Sequence, residues 1–297
     1  MSNFTKTTLP EPIIGISGPD NTPNPKRPGL TCIHEAKLLM EKLQKYGGRE
    51  RTPSEWYSSM SFSAGRIIDM IVKMKRQVKL IGKETEKKLE ETGVTIFNAA
   101  QKALAERSEN GTYVLAQLYE LSAEILAYCD HEVLPTSKIY MSASATFEEA
   151  KRSDCTPVSL DRDMLCLNKA IEVFDKGCSK RGSAVTSKDA FLLLSHRQHM
   201  YLSKAKLLCL DHSCEKDEIA FECLTQLVKM HPFPQTHALD VLRLAFDNGS
   251  QWQQESKYEQ AIKWFHFVKD IYCQTCRRPE SQDDNEKGAG TSEELNK

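Results

Sequence analysis

Cys273-Gln-Thr-Cys276 is the only CxxC in this chain, and two thiols at that spacing could supply half of a zinc site or a redox couple. A structural zinc ion needs four ligands, and the nearest second cluster (Cys209, His212 and Cys214) lies about sixty residues upstream. A redox pair belongs at the start of a helix after a strand, whereas this pair closes a helical pattern. His196 and His199 stand three apart, as two ligands on one helix face would. No HExxH-type carboxylate accompanies them. There is no phosphate-cradling glycine loop, nucleophile elbow or kinase signature. The sequence therefore predicts no catalytic residue, no cofactor, no metal site and no enzymatic activity. A metal site among His196, His199 and the cysteines is the weakest alternative.

A different chemistry is offered by Lys73, Lys75, Arg76, Lys79, Lys83, Lys87 and Lys88. Read as one helix, Arg76, Lys79, Lys83 and Lys87 share a face that could meet nucleic acid or an acidic partner. Glu84, Glu86, Glu90 and Glu91 dilute that charge, and Glu84 stands one turn before Lys88 in a favourable pair. Aromatic residues for base stacking are missing, so a solvated helix face is the preferred reading. Nucleic-acid or chromatin binding through residues 73–88 is kept as the alternative.

Bulk composition points the same way. In 297 residues, 40 Lys+Arg oppose 41 Asp+Glu for a net charge of −1, which gives no global case for nucleic acid or an anionic membrane. A hydrophobic content of 40% suffices for a core, and no apolar run approaches the length of a membrane span. The ten cysteines are scattered, several at apolar helical positions such as Cys166 between Leu165 and Leu167. Such residues behave as small hydrophobes. The N-terminus is polar and Pro-rich without an apolar leader, so an intracellular location with reduced thiols is expected.

Residues 1–29 hold half of the twelve prolines and read as a disordered tail; residues 279–297 read as a second, acidic one. Between them the apolar spacing is helical almost throughout, and no segment alternates at period two. Leu38, Leu39, Leu43 and Tyr46 line a first helix closing at Gly47-Gly48. Thr52-Pro53-Ser54-Glu55 opens a second. A polar helix over Glu84–Glu106, ended by Asn110-Gly111, completes with its apolar partner an N-terminal helical region, 30–130. Residues 131–158 carry two prolines and many Ser and Thr, and read as a linker with strand-like pieces around Ile139-Tyr140-Met141. Residues 159–278 return to helical hairpins.

The last hairpin, Leu239 to Tyr272, has small residues where two antiparallel helices must touch. Gly249 lies twelve positions before Ala261, Phe265 follows one turn later, and Glu255-Ser256-Lys257 is a polar break before Tyr258. In this reading Gly249 permits close approach, Ala261 leaves room for Trp252, and Phe265 fills the groove beneath. The pattern resembles a tetratricopeptide (TPR) hairpin. Weaker echoes occur at Ala220, Leu224, Leu227 and Pro232, and at Ala170 and Phe174. The three alanines are 50 and 41 positions apart, longer than the usual repeat. One hairpin cannot bury its own apolar face, so the expected fold is all-α, with TPR-like antiparallel hairpins stacked as a solenoid.

Gly249, Tyr258, Ala261, Trp264 and Phe265 together are similar to the opening repeat of the meiotic Spo22-like family. That resemblance implies a helical superhelix that recruits crossover and synapsis proteins on meiotic chromosomes, hence a nuclear location; without it the cytoplasm is the default. Arg243, Phe246 and Ser250 point outward on the first helix and are the expected partner-binding residues. TPR proteins that clamp chaperone carboxylates use Lys and Asn there, so Phe246 and Ser250 argue against a co-chaperone. Gly249, Trp252, Tyr258, Ala261, Trp264 and Phe265 are expected to pack the repeat. A generic TPR adaptor outside meiosis is the remaining alternative.

Overall fold

The computed structural model describes residues 28–46, 54–76, 81–103, 109–152, 161–181, 187–211 and 213–276. The two expected tails, the Gly47-Gly48 stop, the Thr52-Pro53 start and the side chain of Cys276 lie outside these residues, except that Pro28 and Gly29 already open the first helix. Pro at the first helical position costs no hydrogen bond, because that N–H has no partner in a helix.

The described residues form ten α-helices and no strand, and the all-α class is the one the periodicity predicts. They are α1 (Pro28–Tyr46), α2 (Ser54–Arg76), α3 (Lys83–Ala103), α4 (Glu109–Tyr128), α5 (Val133–Arg152), α6 (Arg162–Arg181), α7 (Ser187–Cys209), α8 (Cys214–Lys229), α9 (Gln235–Gln254) and α10 (Tyr258–Cys276). Packing runs between sequence neighbours, supplemented by α1 on α3, α2 on α4 and α7 on α9. No helix among them is long and apolar enough to cross a membrane.

Two apolar cores divide the chain. The first gathers α1 to α6 with the first part of α7, down to Met200. The second begins at Leu202 and takes in α8, α9 and α10. One helix thus serves both cores, with adjacent turns facing different ones. Of the residues expected on α1, Leu39 and Leu43 are buried, while Leu38 is 41% exposed.

Most of the span 131–158 expected as a linker is helix: Val133–Arg152 is α5, with Ile139, Tyr140, Ala143, Phe147 and Ala150 buried at helical spacing, and 153–158 lie outside the described residues. Its hydroxyls do not break it. Thr136, Ser142 and Thr146 each bond back to the carbonyl four residues earlier, at 2.7–3.1 Å. Pro135 falls in the first turn, where an N–H is not needed. Asn110-Gly111 likewise does not end α3; it lies in the first turn of α4.

Small residues set the α5–α6 crossing. A Cβ built on Gly177 would lie 2.0 Å from one Val133 methyl and 2.7 Å from the other. Valine is stiff at χ1 and cannot swing away. Gly177→Ala is therefore expected to cost about 2 kcal/mol by overpacking. A denaturant melt of the single variant and of Gly177→Ala/Val133→Ala checks this: the second change should recover most of the loss.

Candidate partner-binding surface

The C-terminal hairpin is held by one carboxylate. Ser213 caps α8, its hydroxyl accepting from the Lys216 N–H at 3.3 Å. One turn on, Asp217 projects into the second core, where it is 3% exposed. Its Oδ1 accepts hydrogen bonds from Asn248 Nδ2 at 2.6 Å and from the indole Nε1 of both Trp252 and Trp264 at 2.8 Å. Both indoles are among the largest fully buried side chains of the protein. Asp217 thus ties α8 to α9 and α10 and satisfies the polar tip of each tryptophan.

The break between α9 and α10 is a helix cap. Ser256 adopts φ 61°, while Lys257 N–H reaches back to the Trp252 carbonyl at 2.9 Å and Ser256 N–H to that of Gln253 at 3.0 Å. Lys257 Nζ lies 4.4 Å from the Trp252 ring centroid. Gly249 sits at the closest helix approach, since a Cβ there would lie 3.0 Å from Phe265 Cε1 and 3.1 Å from Trp264 Cβ. Ala261 is 2% exposed.

One of the residues assigned to repeat packing stands at the surface: Tyr258 is 60% exposed. Phe265, half-buried, packs against the second core beside Gly249, its ring tilted against that of Phe246 with centroids 5.8 Å apart. On a helix of 3.6 residues per turn, a position six before Trp264 lies about 120° from it, beyond the inward stripe. The buried stripe of α10 is Ala261, Trp264, Phe267 and Ile271.

Arg243, Phe246 and Ser250 share the outward side of α9 with Leu239. Leu239 is 68% and Phe246 54% exposed, Ser250 is half-buried, and Arg243 reaches Asp247 at 3.8 Å on the surface. On α10, Tyr258, Ile262, Phe265 and Tyr272 line the matching side, three of them more than half exposed. The hairpin thus buries one side against α8 and turns a second apolar side outward.

The basic run is not a single stripe. α2 ends at Arg76 and α3 starts at Lys83, with Lys79 outside the described residues, so the four cations expected on one face do not share a helix. Lys75 turns inward, its Nζ 2.6 Å from Glu124 on α4, and Lys169 of α6 meets the other oxygen of that carboxylate at 2.5 Å. Burial opposes ionisation of Glu124, and the pull of Lys75 and Lys169 overcomes it, holding the carboxyl below its ordinary value. One turn away, burial pushes Glu120 above its ordinary value against the pull of Arg162, at 2.9 Å, and Lys169. Lys75, Glu124 and Lys169 line a groove of about 990 Å³ between α2, α4, α5 and α6. Glu84 and Lys88 form the expected exposed pair at 2.6 Å.

The candidate metal residues do not assemble among the described residues, where no group of three potential ligands occurs. His196 meets Ser137 Oγ at 3.0 Å and stacks against Phe174 instead. Burial pushes the Cys209 thiol up to about 12.

Asp217, Asn248, Glu120 and Glu124 were not singled out from the sequence. Three of them left a signal: Asp217 stands three positions before Ala220 on an apolar stripe, and the two glutamates interrupt a largely apolar α4 one turn apart. Compared with protein-family models, curated proteins and solved structures, the chain matches none.

Proposed function

We propose that this chain is a non-enzymatic protein-interaction scaffold, a TPR-like stack of helical hairpins whose last hairpin offers its outward side to a helical partner. The observation that carries this reading is the exposed row of Leu239, Phe246, Ile262 and Tyr272 on α9 and α10. A stacked repeat is soluble at its end only if its outer face is polar, and an apolar outer face calls for a further helix upon it. Arg243 and Ser250, beside that row, supply polar contacts. The narrower role, recruitment of crossover and synapsis factors in meiosis, rests on the resemblance at Gly249, Tyr258, Ala261, Trp264 and Phe265.

The full chain, immobilised and exposed to nuclear extract of meiotic cells, tests the proposal. Crossover or synapsis proteins should be retained, and their recovery should fall at least about tenfold with Phe246→Glu, which removes an interface anchor. Retention of chaperones alone, or retention indifferent to Phe246, would contradict it.

A further inference from the structure

Resting on the reading of the α9–α10 side as a partner surface, we infer that its first partner is a second copy of this chain, paired about a two-fold axis that crosses α9 near Phe246.

The first argument is area. Leu239 and Phe246 on α9, and Tyr258, Ile262 and Tyr272 on α10, stand at one-face helical spacing and are between 54% and 68% exposed. With an accessible area on the order of 200 Å² for each large side chain, they leave roughly 600 Å² of apolar surface in water. That is the top of the range for the largest patch on a monomer, ~300–600 Å². Adding the polar residues at its edge brings the patch close to the ~800 Å² that each partner gives to a stable interface.

The second argument is charge. Arg243 and Asp247 stand one turn apart along the edge of this patch, with side chains 86% and 67% exposed, 3.8 Å from each other. Within one helix such an exposed pair contributes almost nothing to stability. In an isologous interface every contact occurs twice, residue i on j and j on i. A two-fold axis across α9 sets the two copies of the helix antiparallel. Arg243 of each copy then faces Asp247 of the other, with Phe246 packed on Phe246 between the two pairs. The surface is thus complementary to itself in sign. A stripe of one charge would have excluded that arrangement.

Sedimentation equilibrium on the full chain, over a dilution series reaching the micromolar range, tests the pairing. The wild type should reach twice the monomer mass of 33.7 kDa. Arg243→Asp places like charges opposite each other and should weaken association at least about tenfold. Exchanging the pair, Arg243→Asp/Asp247→Arg, should restore it, because the two-fold arrangement is preserved. Both positions are exposed, so these variants report on association without disturbing the core, and thermal melts should coincide with the wild type. A wild type that stays at 33.7 kDa throughout would overturn the inference. So would a dimer indifferent to Arg243→Asp, or an exchanged pair that does not recover. A monomer that still retains meiotic proteins through Phe246 would overturn the self-pairing alone. A dimer that retains nothing else would support the self-pairing and count against the meiotic role.

Discussion

Asp217→Ala is expected to destabilise the α8–α10 unit by about 4 kcal/mol, the largest effect of any single polar substitution in the second core. The change leaves three buried donors, Asn248 Nδ2 and the Nε1 groups of Trp252 and Trp264, without their common acceptor. Each buried orphan costs ~1–3 kcal/mol, and the three do not add in full because they share one site that relaxes as a unit. Asp217→Asn keeps an acceptor oxygen and should cost only about half as much. Two of the three tryptophans report directly on this site, so a denaturant titration followed by indole emission reads it. The emission should shift to the red at lower denaturant in Asp217→Ala, ahead of the loss of helicity in the first core. Coincidence of its transition with that of the wild type would show that the carboxylate does not hold the hairpins together.

Acidification is expected to weaken the junction between the two cores through His196. Burial lowers its pKa from 6.5 to about 4, with Lys138 and His199 adding to the shift. The Ser137 hydroxyl, 3.1 Å from the Ala170 carbonyl, donates there and accepts from His196 Nε2, which sets the proton of the neutral ring on that nitrogen. The sign follows from the depressed value. Above about pH 6.5 the ring is neutral in both the folded and unfolded chains, and its full contribution is present. As pH falls toward 4, the unfolded chain takes up a proton that the folded one refuses, and stability is lost. At ~1.4 kcal/mol per unit, the loss reaches about 2 kcal/mol at pH 5. Burial also lowers His199 in the same sense, helped by His237 and Lys206. His196→Gln does not titrate, so its melting temperature should fall less than that of the wild type between pH 7 and pH 5. Equal falls in the two proteins would place the acid sensitivity elsewhere.

The helical class was legible because burial on one side of a helix leaves a 3.6-residue pattern whatever the partner. Gly249, Ala261 and the polar break before Tyr258 were legible for a related reason, since close approach and a cap each demand particular residues. α5 was not. Its serines and threonines look like loop composition, yet three of them bond their own helix, and Ser137 bonds Ala170 and His196 across helices. Those partners are set by the fold, so sequence spacing does not reveal them. The same holds for Asp217, whose three donors come from α9 and α10, thirty-one or more residues away. The basic run misled in the opposite direction. Gly82 was the single local sign that one helix had ended, and without it seven cations looked continuous. The outward position of Tyr258 depends on which side of the hairpin meets α8, the side where Asp217 bonds both tryptophans.

On the proposed function, the outward side of α9–α10 is covered by another helix in the cell. A photo-crosslinking amino acid introduced at Phe246 or Ile262 of the full chain reports on that side directly. The same probe at Phe62, which is 72% exposed on α2, serves as the control. Irradiation in cells should give covalent adducts from positions 246 and 262, of defined mass, and none from position 62. Adducts equal at all three positions, or none at 246 and 262 in a folded chain, would contradict the account.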